Sequence, residues 1–309
     1  MPCHNARRHL PASLASVFAQ AFDAWELIAV DDGSTDDTLA YLRDQGDARV
    51  QVLTQANAGV SAARNAGISA SRAPILAFLD ADDTWSPNFL QRMHDELTAH
   101  PGAVLAYCGW QNVGVRGPAG QPHIPPDIEG SAKHERLFAS CQWPVHAALV
   151  WREVVLAAGG FDRALKNAED YAMWLTIAAD RPIVRVPEVL SFYHFHGGTQ
   201  ASSQRAQAAL QFLQAQSAYL AKHAAFAQSL GGARVRTLTL GPLLRRGYEC
   251  YWADDLIQAR PIFRKVMQCR YGRVSDWRHM LPAMLPLAWH RALVELVRNR
   301  PKREQPSQE

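Results

Sequence analysis

Residues 74–85 read PILAFLDADDTW. The first half is a short apolar run of the kind that forms a buried strand. The second half crowds three carboxylates, Asp80, Asp82 and Asp83, at the end of that run. Acidic side chains so close repel one another and raise each other's pKa, which calls for a positive group among them. A cap for the helix that starts near Pro87 needs fewer acids than this. Hard oxygen ligands in such a group suit Mg2+ or Mn2+. A calcium loop is excluded, since no glycine follows at the required place.

Outward from this stretch the pattern alternates. WELIAV (25–30), VQVL (50–53) and AVLAYC (103–108) read as further strands. Helical faces fall at 6–21, 36–44, 60–71 and 87–100, the last with Pro87 in its first turn. Strands alternating with helices predict an α/β fold, a mostly parallel sheet covered on both faces. Ligands of such sheets bind beyond the carboxyl ends of the strands. Asp31 and Asp32, the stretch Asn57 to Asn65, and Asp80, Asp82 and Asp83 stand at three such ends. VDDGSTDDT alone could be a polar turn in which Ser34 or Thr35 caps the next helix.

The alternation then breaks. Residues 109–135 are rich in Gly and Pro and read as loop. Helical pattern returns at 151–158 and 168–180, and IVRV (183–186) and LSFYHF (190–195) read as strands. From about 202 the pattern is helical, with turn signals at Gly231-Gly232, Pro242, Pro261 and Pro282. The expected organisation is a first domain over 1–200, a helical region over 201–300 and a disordered tail over 301–309.

Composition narrows the function classes. The 309 residues carry a net charge of +3, too small to imply a nucleic-acid partner. Hydrophobic residues make up 48%, the balance of a soluble globular protein. The cysteines are scattered, five in number and without CxxC spacing, which argues against a disulfide framework or a zinc site and for a reducing cytoplasm. The opening MPCHNARRHL has no signal-peptide core, and no apolar run is long enough to span a membrane.

MPCHNA, ELIAVDDGSTDDT, NAGVSAARNAG, FLDADD and NAEDYAMWL, in this order, resemble family 2 glycosyltransferases of the GT-A fold over roughly residues 1–200. The resemblance implies a nucleotide-sugar donor, UDP-linked by family habit, a divalent metal and transfer with inversion to a hydroxyl of a glycan or lipid-linked acceptor. Carried onto this chain, it puts Pro2 in the base and ribose pocket. Asp32 would accept from the base with Asp31 beside it, and Asn57, Arg64 and Asn65 would flank the nucleotide. Asp80 would sit near the ribose, and Asp82 would be the direct metal ligand. Asp83 and His196 would be further metal candidates. Glu169 or Asp170 would be the base, with Asp170 preferred. The acid that the family often places two residues beyond is Ala172 here. Trp143 and His146 either line the acceptor side or pack in the core. His194 and His196 could also be one inward and one outward side chain of an edge strand.

In that family MPCHNA would end a first strand needing about five more apolar residues before it, so the chain is expected to leave a gap in its sheet and to be poorly stable. A start assigned too late is the preferred cause, against a truncation or a degenerate protein. The segment 276–303 mixes Trp, Met and Leu with basic residues. It reads either as a packed helix or as one lying on the inner face of a bacterial membrane. Two other functions compete. FLDADDTW fits the pattern of haloacid-dehalogenase-type phosphatases, with Asp80 as nucleophile, Asp82 as acid/base and Thr84 on the phosphate. That assignment leaves DDGSTDDT and NAEDYAMWL without a role. A non-catalytic nucleotide-sugar-binding protein is the second. A Rossmann dehydrogenase lacks its GxGxxG.

Overall fold

The computed structural model describes residues 1–196 and 204–298. The chain forms two compact units, Met1–Gln200 and Ala201–Glu309.

The first unit is α/β. Apolar β2 (Leu27–Asp32) is buried along its whole length, between β1 (Pro2–Cys3) and β3 (Val50–Gln55), all parallel. Small residues let α3 (Val60–Ala70) pack closely on this sheet, where Ala63 meets Ile28 and Val30. The second sheet has the order β4 (Ile75–Ala77), β7 (Ala148–Trp151), β6 (Leu105–Val113), β8 (Ile183–His194) and β5 (Thr84–Trp85). Here only β6 and β8 run parallel, and the remaining pairs are antiparallel. No pattern in the sequence marks β7, a four-residue strand soon after Pro144. Its insertion between β4 and β6 makes this sheet mixed.

Two strand limits also differ from expectation. β6 continues to Val113, inside the stretch read as loop. IVRV and LSFYHF are one strand, β8, running through Pro187. The register jumps there, from Cys108 opposite Val186 to Gly109 opposite Val189. Such a bulge is how a strand accommodates a residue that cannot donate.

β1 is a two-residue stub, and Met1 closes its end: the terminal ammonium donates to Ile28 O at 2.9 Å and Val30 N–H donates to Met1 O at 2.8 Å. Burial holds this ammonium below its ordinary pKa. A cavity of about 360 Å3 is lined by Met1, β2, α3 and β4, among them Leu27, Ile68 and Leu76. Its walls are mainly apolar side chains, which favour exclusion of water over a polar ligand.

The second unit is helical: α8 (Arg205–Lys222), α9 (Ala224–Trp252), α10 (Leu256–Gln268), α11 (Val274–Met280) and α12 (Leu287–Arg298). Leu243, Cys250, Ile262, Phe263, Val266 and Met280 form its core. Gly231, at φ +72°, kinks α9 as its turn signal predicts, whereas Pro242 and Pro261 lie inside α9 and α10. No helix among the described residues is long and apolar enough to cross a membrane. Residues 197–203 and 299–309, with the expected tail and the end of the 276–303 segment, lie outside the described residues.

Candidate active site

The positive group among the carboxylates is Arg64. It projects from α3 and is almost wholly buried. One arm of its guanidinium spans both oxygens of Asp80 at 2.7 and 3.0 Å, and the other reaches Glu169 Oε1 at 2.8 Å. Its carbon lies 5.1 Å from the Phe161 ring centre. A planar fork suits this double bridge, which a lysine could not reproduce. Burial opposes the charge on Arg64, yet Asp80 and Glu169 hold its pKa above the ordinary value. Burial likewise works against Asp80, but Arg64 keeps its carboxyl below the usual range.

The other two acids of FLDADD go elsewhere. Asp83 is wholly buried; its Oδ1 accepts the His194 N–H at 2.9 Å and its Oδ2 faces His146 Nδ1 at 3.1 Å. Burial, then the charges of Asp80 and Asp82, push Asp83 well up, and burial takes His146 down to about 4. His146 thus packs against Asp83 inside the unit. Asp82 is about one-third exposed and meets His196 Nε2 at 2.9 Å. His9 stacks on the far face of that imidazole at 4.2 Å, a neighbour the sequence did not disclose. Thr84 Oγ1 lies 2.9 Å from His194 Nε2, so this histidine also has an inward partner.

Glu169 and Asp170 open α7 (Glu169–Ala178), where the helix dipole favours acids. Glu169 is bound to Arg64, while Asp170 accepts only the Tyr171 N–H, at 2.7 Å, and forms no ion pair among the described residues. Burial, then the charge of Glu169, raises the Asp170 carboxyl to about 7.

The two acids that end β2 are also unlike. Asp32 accepts Gln55 Nε2 at 2.7 Å, the Ala58 N–H at 2.9 Å and the Gly59 N–H at 2.8 Å. Three donors from its own chain make Asp32 the tie of the β3–α3 loop. Asp31 is equally buried, but its Oδ1 has no partner. Gly33, at φ +69°, lets this turn approach that loop: a Cβ there would meet Asn57 N at 2.8 Å. Ser34 and Thr35 do not cap α2 (Thr38–Arg43); Ser34 Oγ accepts the Asn5 N–H, and Thr35 N–H donates to Asn5 Oδ1.

Two expected nucleotide contacts are spent locally. Asn65 is bound through both halves of its amide to the Phe161 backbone, at 2.8 Å each. Asn57 lays its amide on His4 at 3.2 Å and is otherwise exposed. Pro2 pairs opposite Val30 at the rim. Trp143 is core, stacked on Tyr107 at 4.3 Å.

Among the described residues no three His, Cys, Asp or Glu side chains cluster as a self-sufficient metal cage. A carboxylate and an imidazole at 2.9 Å, both partly exposed, nevertheless fit Mg2+ or Mn2+. These ions take one or two protein ligands and complete their shell with phosphates and water.

These residues gather at the ends of the strands of an α/β sheet. Residues 1–147 match the family model described as glycosyl transferase family 2. The chain is 28% identical over 184 residues to WfgD of Escherichia coli, named UDP-Glc:alpha-D-GlcNAc-diphosphoundecaprenol beta-1,3-glucosyltransferase, covering 59% of this chain and 70% of that one. It is 31% identical over 210 residues to the O-antigen biosynthesis protein RfbC of Myxococcus xanthus, 66% of this chain but only 16% of RfbC. The S. aureus TarS fragment 1–349, solved with UDP-GlcNAc, superposes with a TM-score of 0.58 at 17% identity, covering 88% of this chain and 91% of the fragment. The mannosyltransferase PcManGT from Pyrobaculum calidifontis, solved with GDP-Man and Mn2+, gives 0.55 at 16% identity, over 96% and 82%. At these identities the two structures show a shared fold. The protein is a glycosyltransferase, and the phosphatase alternative loses its nucleophile as well, since both Asp80 oxygens are held by Arg64.

Proposed function

We propose that the protein transfers a sugar, with inversion, from a nucleoside-diphosphate sugar, UDP-linked in the first instance, to a hydroxyl of a glycan or lipid-linked acceptor. The observation that carries this is the pair at the start of α7: Glu169 neutralised by Arg64, and Asp170 beside it, unbridged and raised to about 7. A carboxylate titrating near working pH is suited to general base catalysis. Asp170 takes the proton of the acceptor hydroxyl as its oxygen attacks the anomeric carbon. The bond from that carbon to the phosphate oxygen breaks, and the nucleoside diphosphate leaves from the opposite face. Asp31, whose Oδ1 is unpartnered, replaces Asp32 as the acceptor for the N–H of the base.

Asp82 and His196 would hold Mg2+ or Mn2+, which when bound would offset the charge gathering on the diphosphate. The acceptor in WfgD's name, alpha-D-GlcNAc-diphosphoundecaprenol, is a lipid diphosphate. A lipid acceptor would suit the 276–303 segment, where Leu281, Met284, Trp289 and Leu296 are exposed beside basic residues. We place that segment on an anionic membrane surface. Co-sedimentation with anionic vesicles, lost in Trp289→Ser, tests the contact.

Incubation with a panel of nucleotide sugars and Mn2+ or Mg2+ tests the transfer. Release of nucleoside diphosphate from one donor, accelerated by an acceptor and lost in Asp170→Asn, supports it. Donor binding with no turnover on any acceptor would make the protein a non-catalytic binder.

A further inference from the structure

The helical unit holds an open pocket of about 610 Å3 with a basic lining. One face of α9 supplies Arg245 and Tyr248, and the turn from α10 into α11 supplies Arg270, Tyr271, Arg273 and Asp276. The three arginines are exposed, and among the described residues none of their guanidinium groups meets a carboxylate. Their neighbour Arg246, outside the pocket, does pair, with Glu249 at 2.7 Å. The one acid in the lining is engaged by its own chain: Asp276 Oδ1 accepts the Tyr248 hydroxyl at 2.8 Å, and its Oδ2 accepts the Arg273 N–H at 2.6 Å.

The turn itself gives an independent sign. After α10, Tyr271 N–H returns to Val266 O and Arg270 N–H to Met267 O, so that Arg270 takes φ +49°. Glycine is the usual occupant of that left-handed position, and an L side chain is strained in it. At this position the exposed Arg270 side chain is carried on the lining of the pocket. Helix-end carbonyls would repel an anion, but Arg236 donates to Cys269 O and Arg270 O at 2.8 Å each and lies over the Tyr271 ring at 5.7 Å.

We propose that this pocket binds a diphosphate group, held by the guanidinium forks of Arg245, Arg270 and Arg273. Three like charges around one space repel unless an anion joins them, and arginine forks match phosphate oxygens two at a time. The bearer is either a lipid headgroup or a soluble diphosphate. The inference goes beyond the glycosyl-transfer proposal and stands without it, because every residue it uses lies between Arg236 and Asp276.

The test is residue-resolved arginine modification of the whole protein by phenylglyoxal, read by mass spectrometry in EDTA. With millimolar inorganic pyrophosphate, labelling of Arg245, Arg270 and Arg273 should slow about fivefold or more, with exposed Arg116 and Arg181 unchanged. Phosphatidylcholine vesicles doped with a prenyl diphosphate form a second arm, and vesicles doped with phosphatidylglycerol a third. Protection by pyrophosphate and by the prenyl diphosphate assigns a lipid-borne ligand; protection by pyrophosphate alone assigns a soluble one. No protection, equal slowing at every arginine, or protection by phosphatidylglycerol alone overturns the proposal. Arg270→Gly separates folding from binding. It relieves the left-handed strain, so Tm should hold or rise while protection at Arg245 and Arg273 falls. Intact protection in this variant also overturns it. Release of nucleoside diphosphate is a separate readout, so the two proposals fail separately.

Discussion

The carboxylates around the site divide into an interior set and a cleft set. Asp80 and Glu169 are clamped by Arg64, and Asp83 is shut in against His146. Asp82 and Asp170, each one or two positions from an interior acid, are left without a strong cationic partner. The interior acids give up reactivity for architecture: Arg64 joins the end of β4 to the start of α7 and so sets where Asp170 stands. The cleft acids depend on that frame. Adjacent acids in one motif therefore do opposite work, and what separates them is whether Arg64 or, for Asp83, His146 and the His194 N–H engage them.

The largest expected break comes from Asp170→Asn. It should lower kcat about 10²–10⁴-fold with little change in Tm, read by nucleoside diphosphate release and thermal melts. The pH profile sharpens the point. Activity should rise as pH passes about 7 and Asp170 loses its proton. Stability should run the other way. The folded pKa is raised, so this group's contribution is complete below the unfolded value and is lost as pH rises through about 7. Asp170→Asn should flatten both slopes.

Breaking the frame comes next. Arg64→Met leaves the buried Glu169 and the partly exposed Asp80 without a counter-charge and should cost about 3 kcal/mol in chemical denaturation. Adding Asp80→Asn and Glu169→Gln should recover most of that loss, since no unpaired charge is left. A triple variant as unstable as the single one would contradict the division. Smaller again, Asp82→Ala should weaken Mn2+-dependent donor binding about tenfold by calorimetry and leave Tm unchanged. The smallest effect concerns the gap beside β2. Five strand-forming apolar residues added before Met1 should raise stability by about 1 kcal/mol over a Gly/Ser extension of equal length.

Much of the parallel half was legible, because WELIAV and VQVL are apolar runs bounded by turn residues, a local property. β7 was not, since four residues carry too little pattern, and Pro187 divided β8 in two. The site was legible as a membership list. Arg64, Asp80 and Glu169 were each singled out, but their single bridge was not, because Arg64 and Glu169 are 105 residues apart in sequence. Neither could pattern reveal that Asp32 spends its oxygens on the next loop while Asp31 keeps one free. That division depends on where backbone donors fall in space.

The cavity between β2 and β4 has a further consequence. A cavity of this size is volume that unfolding eliminates, so hydrostatic pressure should destabilise this unit. Ile68→Phe, which fills part of that space, should make the unfolding less sensitive to pressure.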